Sequence, residues 1–495
     1  MRGGATVAAA AAALLLSYPG VTNAQTPSPS PCPNTLTPPY APPVVAKGWK
    51  AQLVATGLTR PRSIKVDDEG NLLVIESNVG LTRLTFNDYG GTCLVVSEKK
   101  TVIAETGFNH GLDLSDDGTT LYVSTAEYVD RYVYDPATAT ASNRTRLITG
   151  MSHVGPGHVT RTLLLSRKQP DMLLVSRGSG PNIDPLALDV ETGVSQIRAF
   201  NVSEAALAAV GGEYSYSSDG VLVGWGLRNS VGVAENPATG EIWSVENSAD
   251  NIARLGVDVH EDNPGEELNF HGAVPSPDSP VENPFLGGNY GYPLCFALWN
   301  TTDFPSLGDL SVGQQFSLPN DATANDTYCV EETVPPRITF RAHTAPLDIK
   351  FSPAGESRAF VSFHGSWNRD EPAGYALSYL DFDPATNQPL AAANSLDATH
   401  DVLSPPDVSV CTRRGACLRP VGLAFDASGE RLFVSSDATG EIWVVMKDGE
   451  EGEDGGEVTT TVTSRAAGEV RARMPTRIGG KGWMVVPAGA AAFMG

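Results

Sequence analysis

The chain has 495 residues, with 57 acidic side chains against 34 basic ones and a formal net charge of −23. Nucleic-acid binding needs a basic surface to release counterions, and anionic membranes repel an acidic one, so the charge argues against both partners. Beyond the N-terminus no segment is apolar for long enough to span a bilayer.

In chain order, residues 1–24 place one arginine, an apolar stretch and small residues at Thr22 and Ala24 in the order of a secretory signal peptide. The protein is therefore expected to be secreted, with cleavage after Ala24. Residues 25–45 are proline-rich and extended. The six cysteines, Cys32, Cys93, Cys295, Cys329, Cys411 and Cys417, show no CxxC metal spacing and allow three bridges in an oxidising compartment. Cys411 and Cys417 flank one short loop; proximity in sequence suggests Cys32–Cys93 and Cys295–Cys329 for the rest. Sequons at Asn143, Asn201, Asn300 and Asn325 fit the same compartment.

From Arg62 to Met446 one pattern recurs six times: an apolar alternating run, a Gly/Asp/Pro turn, then a second apolar run. The copies begin at Arg62, His110, Arg161, Asn229, Leu347 and Val421, as in "RSIKVDDEGNLLVIES" and "VGLAFDASGERLFVSS". Each reads as a β-hairpin, and six such units predict an all-β, six-bladed β-propeller over residues 46–447 rather than a sandwich. The widest gap, between the fourth and fifth units, holds "DVHEDNPGEELNFHGAV" and "NYGYPLCFALWN", where long functional loops are expected. The acidic, threonine-rich tail 448–495 reads as disordered, and its short, proline-containing end is a poor GPI signal.

The first strand of each blade lines the channel, so residues just before those strands gather at one mouth. That register supplies Arg62, His110, Arg161, Arg228 with Asn229, Pro346 and Arg419; His158 lies just upstream of Arg161, and His364 follows the second strand of the fifth unit. Singly, each arginine could cap the channel on backbone carbonyls, and a lone loop histidine is commonly inert. As a set, like charges in a confined well repel unless an anion joins them, and the arginine fork suits carboxylates and quinone oxygens. An anionic ligand at the mouth is the expectation. HExxH, P-loop, Rossmann and GxSxG signatures are missing. "RGSGPN" reads as a turn, and "DVHEDNPGEE" as a solvated acidic loop with the composition alone of a calcium loop.

The motifs "HVTRTLLLSRKQPDMLLVSRGSGPN", "GWGLRNSVGVAENPATGEIWSVENS", "EELNFHGAV" with "NYGYPLCF", and "FVSFHGSWNRDEPAGY" resemble those of the pyrroloquinoline quinone (PQQ)-dependent sugar dehydrogenases, most of all the fungal pyranose dehydrogenases, over residues 45–446. The resemblance implies an oxidoreductase that carries PQQ and Ca2+ over the channel mouth. It oxidises the anomeric C1 hydroxyl of a pyranose to the lactone and passes electrons to an external acceptor, such as a cytochrome or a lytic polysaccharide monooxygenase. It assigns His158 as general base, Arg228 and Asn229 as quinone ligands, and Ser248 and Ala249 as main-chain calcium ligands with Asp250 as a possible extra. His364 and Trp367 stand where the glucose enzymes use a lysine, and Arg62 and Arg419 are implied cofactor contacts; His110 and Arg161 join them on register. The competing readings are a calcium-dependent lactonase on the same scaffold and a non-catalytic propeller that binds a glycan or protein partner.

Overall fold

The computed structural model describes residues 1, 3, 31–152, 157–275, 282–353 and 356–449, so nearly all of the expected signal peptide and acidic tail lies outside the described residues. Six sheets stand around a channel as the blades of a propeller, antiparallel except where Tyr214–Ser215 and Gly288–Asn289 add short parallel edges to two of them. Their inner strands are Pro61–Val66, Leu112–Leu114, Leu163–Leu165, Ser230–Glu235, Pro346–Phe351 and Pro420–Phe425, and they define blades 1 to 6. Each repeat supplies the first two strands of its blade, as its turn chemistry dictates. The outer strands come from less regular sequence. Blade 6 is closed by Trp49–Ala55, which pairs with Glu441–Lys447 and so joins the two ends of the chain. Val44–Val45 adds an edge to blade 5, so the proline-rich segment ends inside the propeller.

The seams between blades explain why the second strands are apolar throughout. In Leu72–Glu76, Leu72 and Val74 pack toward blade 6 while Leu73 and Ile75 pack toward blade 2. Alternation along a strand thus feeds two interfaces at once, because both faces of a blade are covered. All six seams carry such a cluster, and each buried Leu or Ile contributes roughly 2 kcal/mol.

Polar stitches set the spacing near the channel. Ser124, Ser362 and Ser435, at the ends of second strands, donate to the carbonyls of Arg161, Val421 and Arg62 at the start of the next blade. Asp113 and Asp348, from the "LD" of two repeats, accept the amides of Leu165 and Leu423 in the same way. Glycine permits this approach: a Cβ on Gly422 would lie 2.5 Å from the Arg62 carbonyl oxygen.

The wide gap after blade 4's third strand (Glu266–Ala273) folds as a cap that includes the hairpin Cys295–Ala297/Gln315–Ser317 and the helix Asp326–Glu332. The Cys295–Cys329 bridge staples it, and Cys32–Cys93 and Cys411–Cys417 complete the expected set. One expectation fails here. Glu266 and Glu267, read as part of a solvated acidic loop, are buried at the start of a strand.

Gly422→Val is expected to lower stability by about 2–3 kcal/mol in urea denaturation, because backbone on the facing strand cannot yield to the new side chain.

Candidate functional site

In each blade, the connection after the second strand and the connection leading to the next inner strand emerge at the same mouth. They enclose a cavity of about 300 Å³. Val231 and Leu347, packed on Val421, belong to inner strands and make its apolar floor. Of the residues singled out from sequence, Arg62, His158, Arg228, Asn229, Ser248, Asp250, His364 and Trp367 line this cavity; His110, Arg161, Ala249 and Arg419 do not.

His158 is held by the turn that follows blade 3's second strand. Its backbone N–H and its Nδ1 both reach the Ser179 carbonyl at 3.0 Å, and Nδ1 lies 2.9 Å from Ser179 Oγ. Ser179 Oγ donates to Pro181, so both serine oxygens act as acceptors toward the ring. Nδ1 therefore carries the proton, and Nε2 is the basic nitrogen of the neutral ring. Gly178 makes this packing possible, since a Cβ there would stand 2.8 Å from His158 Cβ and 2.6 Å from Asn229 Oδ1. The "RGSGPN" turn thus backs the site, holding His158 and Arg228 from behind.

The four arginines separate sharply. Arg161 is fully buried and donates to the carbonyls of Ala126, Met151, His158 and Thr160. Burial, with Arg177 nearby, pushes its pKa down to about 9. It braces the His158 loop instead of facing a ligand. Arg419 likewise clamps the carbonyls of His364, Gly365 and Ser366 and lies over the Tyr375 ring. Arg228 lines the cavity with its donors engaged by Asn182, Asn247, Ser248 and Asp250. Arg62 has a single side-chain partner among the described residues, Asp437 at 2.8 Å, and keeps donors for a ligand.

His110 is buried, its pKa well below the ordinary value because of burial and then the Arg62 charge, and its Nδ1 finds no partner among the described residues. It belongs to the channel wall. Ala249 packs its side chain with Tyr292 and Phe296. Trp367, 71 % exposed, stands at the rim.

The mouth is not the bare cationic ring that the repeat register suggests. Asp437 pairs with Arg62 and His364, and Asp250 pairs with Arg228 at 3.2 Å and His343 at 3.5 Å. The repulsion is relieved by internal carboxylates, so an anionic ligand is accommodated without being required. The register missed these groups. Asp437 follows a second strand in "SSDATGE", the position that exposed His364. His343 lies three residues before blade 5's inner strand, where the register selects Pro346. Burial opposes protonation of His343, but Asp250 and Glu266 outweigh it and raise its pKa. Glu266 accepts the amides of Ser248 and Ala345, and burial pushes it up to about 7. Behind it, burial and the Glu266 charge push Glu267 up to about 7, and Glu246 rises well above the ordinary value.

A family profile described as TrAA12-like matches residues 43–448. A PQQ-dependent sugar dehydrogenase of Hypocrea jecorina is 48 % identical over 424 residues, covering 86 % of this chain and 94 % of its own length. A PQQ-dependent pyranose dehydrogenase of Coprinopsis cinerea is 36 % identical over 81 % of this chain, which spans 54 % of that longer protein. Among solved structures, a calcium structure of a Trichoderma reesei carbohydrate-active enzyme of family AA12 superposes with a TM-score of 0.79 at 48 % identity, covering 84 % of this chain and 100 % of that one. The holo PQQ domain of the C. cinerea pyranose dehydrogenase gives 0.76 at 35 % identity, with 84 % and 99 % covered.

The buried glutamates set a pH dependence. Between about 4.5, the ordinary glutamate value, and about 7, the folded state keeps protons on Glu266 and Glu267 that the unfolded state gives up. The stability that these two glutamates contribute to the metal-free protein should therefore fall as pH rises through that window, while the buried neutral His110 and His364 act in the opposite direction below pH 6.5. Thermal melts in chelator are expected to show the unmodified protein losing midpoint relative to Glu266→Gln and to Glu267→Gln between pH 5 and pH 7.5.

Proposed function

The chain belongs to the TrAA12-like family, and from that premise we propose that it is a secreted PQQ-dependent sugar dehydrogenase that oxidises the anomeric C1 hydroxyl of a pyranose to the lactone. The observation that carries the reading is His158, whose Nδ1–H is committed to Ser179 so that Nε2 is the proton acceptor, beside an arginine with donors to spare.

The cavity residues fit a planar tricarboxylate. Arg62 offers open donors, the apolar floor of Val231 and Leu347 suits a ring, and the exposed Trp367 can close over it. When bound, PQQ supplies the hydride acceptor. His158 orients the C1 hydroxyl and takes its proton, and the family role of Arg228 is to stabilise negative charge nearby. Arg228 can do so only by exchanging a carbonyl partner for the ligand, since its donors are engaged.

For Ca2+, the oxygens at hand are the carbonyls of Asn247 and Ser248 and the Asp250 carboxylate, a hard donor set of the right kind. All three residues accept from Arg228, with its Nη1 at 3.1 Å from the Asn247 carbonyl and 2.5 Å from that of Ser248. The guanidinium holds the place among these oxygens that Ca2+ would take, so the cation would have to displace it. Ala249 would contribute through its carbonyl alone. Electrons then pass to an acceptor outside the chain, a cytochrome or a lytic polysaccharide monooxygenase being the partners the family suggests. The lactonase reading is less favoured, because those enzymes need a carboxylate and asparagine cluster around the metal, whereas Asp437 and Asp250 at this mouth pair with arginine and histidine.

His158→Ala is expected to bind PQQ as the unmodified protein does and to lose about 10²–10⁴-fold in kcat. Normal turnover of sugar by that variant, with added PQQ and calcium, would remove His158 from the role.

A further inference from the structure

Asp437 begins the connection after blade 6's second strand (Arg431–Ser436) and does not itself line the cavity. Its two oxygens are divided between two lining residues. Oδ1 lies 2.8 Å from His364 Nε2, and Oδ2 lies 2.8 Å from Arg62 Nη1. Burial would raise its pKa, but the His364 hydrogen bond and the Arg62 charge hold it well below the carboxylate range, so it is an anion that only accepts. His364 must then donate from Nε2, and its neutral ring carries the lone pair on Nδ1. Burial favours that neutral ring, against the pull of Asp437.

The rest of His364 is fixed as well. Its N–H donates to the Ala345 carbonyl, and its own carbonyl is held by Arg419 Nε at 3.0 Å. Gly365, at φ +95°, sits on the Tyr375 ring, where a Cβ would stand 2.5 Å from the ring carbon, so the chain leaves the histidine along one path. Among the described residues Nδ1 has no hydrogen-bond partner, and it is not sealed from the cavity.

We infer that Asp437 is a positioning residue: it holds His364 in the tautomer that presents Nδ1 as an acceptor and Arg62 as a donor on the same wall, so a ligand must offer an N–H or O–H beside an anionic oxygen there. The inference rests on the dehydrogenase reading for the identity of the ligand and not for the geometry. PQQ has one edge with that pattern, its pyrrole N–H adjacent to a carboxylate on the same ring. His158 and His364 thus carry their ring protons on opposite nitrogens, fixed by a serine in one case and an aspartate in the other. The charged and titratable groups that act on His364 are Asp437, Arg419 and Arg62, with His110 behind Arg62 and Asp437.

The test begins on cofactor-free protein with isotope-labelled histidine, since the chain has only eight histidines to resolve. The His364 resonance is assigned by its loss in His364→Gln. The expected result is an Nε2–H ring, and in Asp437→Asn a His364 that holds its proton at least tenfold more weakly. An Nδ1–H ring in the unmodified protein, or an unchanged His364 titration in Asp437→Asn, overturns the positioning role. The second arm titrates PQQ and its 1-methyl derivative, followed by tryptophan fluorescence. The methylated quinone should bind at least tenfold more weakly than PQQ, and His364→Ala should close that gap; equal binding of the two by the unmodified protein overturns the ligand pattern. Failure of the unmodified protein to bind either quinone overturns the cofactor reading, while the tautomer measurement judges Asp437 on its own.

Discussion

A cavity that gathers arginine and histidine from several blades can exist only if its charges are neutralised from within, and two aspartates meet that condition. Asp437 joins Arg62 to His364, and Asp250 joins Arg228 to His343. Each links blades or connections remote in sequence, so charge balance also fixes geometry. In a low-dielectric well, loss of one such carboxylate leaves a buried cation uncompensated, which costs far more than an exposed ion pair ever returns.

The scaffold makes this economy possible. Inner strands approach closely through glycine and are held by serine and aspartate stitches, so the connections at the mouth start from fixed points. Arginines that look alike in the repeat then take different duties according to where their donors end. Arg161 and Arg419 spend theirs on backbone and rigidify the loops of His158 and His364. Arg228 is poised between protein carbonyls and a ligand. Arg62 faces the cavity with donors in hand. In the proposed reaction the last two would act on the ligand, and the first two hold the loops around them in place.

The hairpins were legible because their signals are local: alternation and turn residues. The blade-closing strand Trp49–Ala55 and the outer strand Ile338–Phe340 were not, since each pairs with residues far along the chain and carries no repeat of its own. At the site, register correctly brought His158, Arg62, Arg228, Asn229 and His364 to one mouth. It could not say which way a side chain turns, so His110 and Arg161 were gathered with them although both point into protein. The carboxylates were harder still. Glu266 reads as one acid in an acidic run, and only the fold shows it buried under Ser248. The family resemblance supplied the role of His158; the tautomer that makes the role possible came from Ser179.

In the proposed function this mouth binds a redox quinone and passes it a sugar's electrons. The most direct measurement adds PQQ and calcium to the cofactor-free protein, then a pyranose, while the quinone absorbance is followed. One equivalent of quinone should bind and its absorbance should bleach on adding sugar, with lactone formed in step. Bound quinone that sugar leaves unchanged, or lactone hydrolysis that proceeds without quinone, would overturn this function.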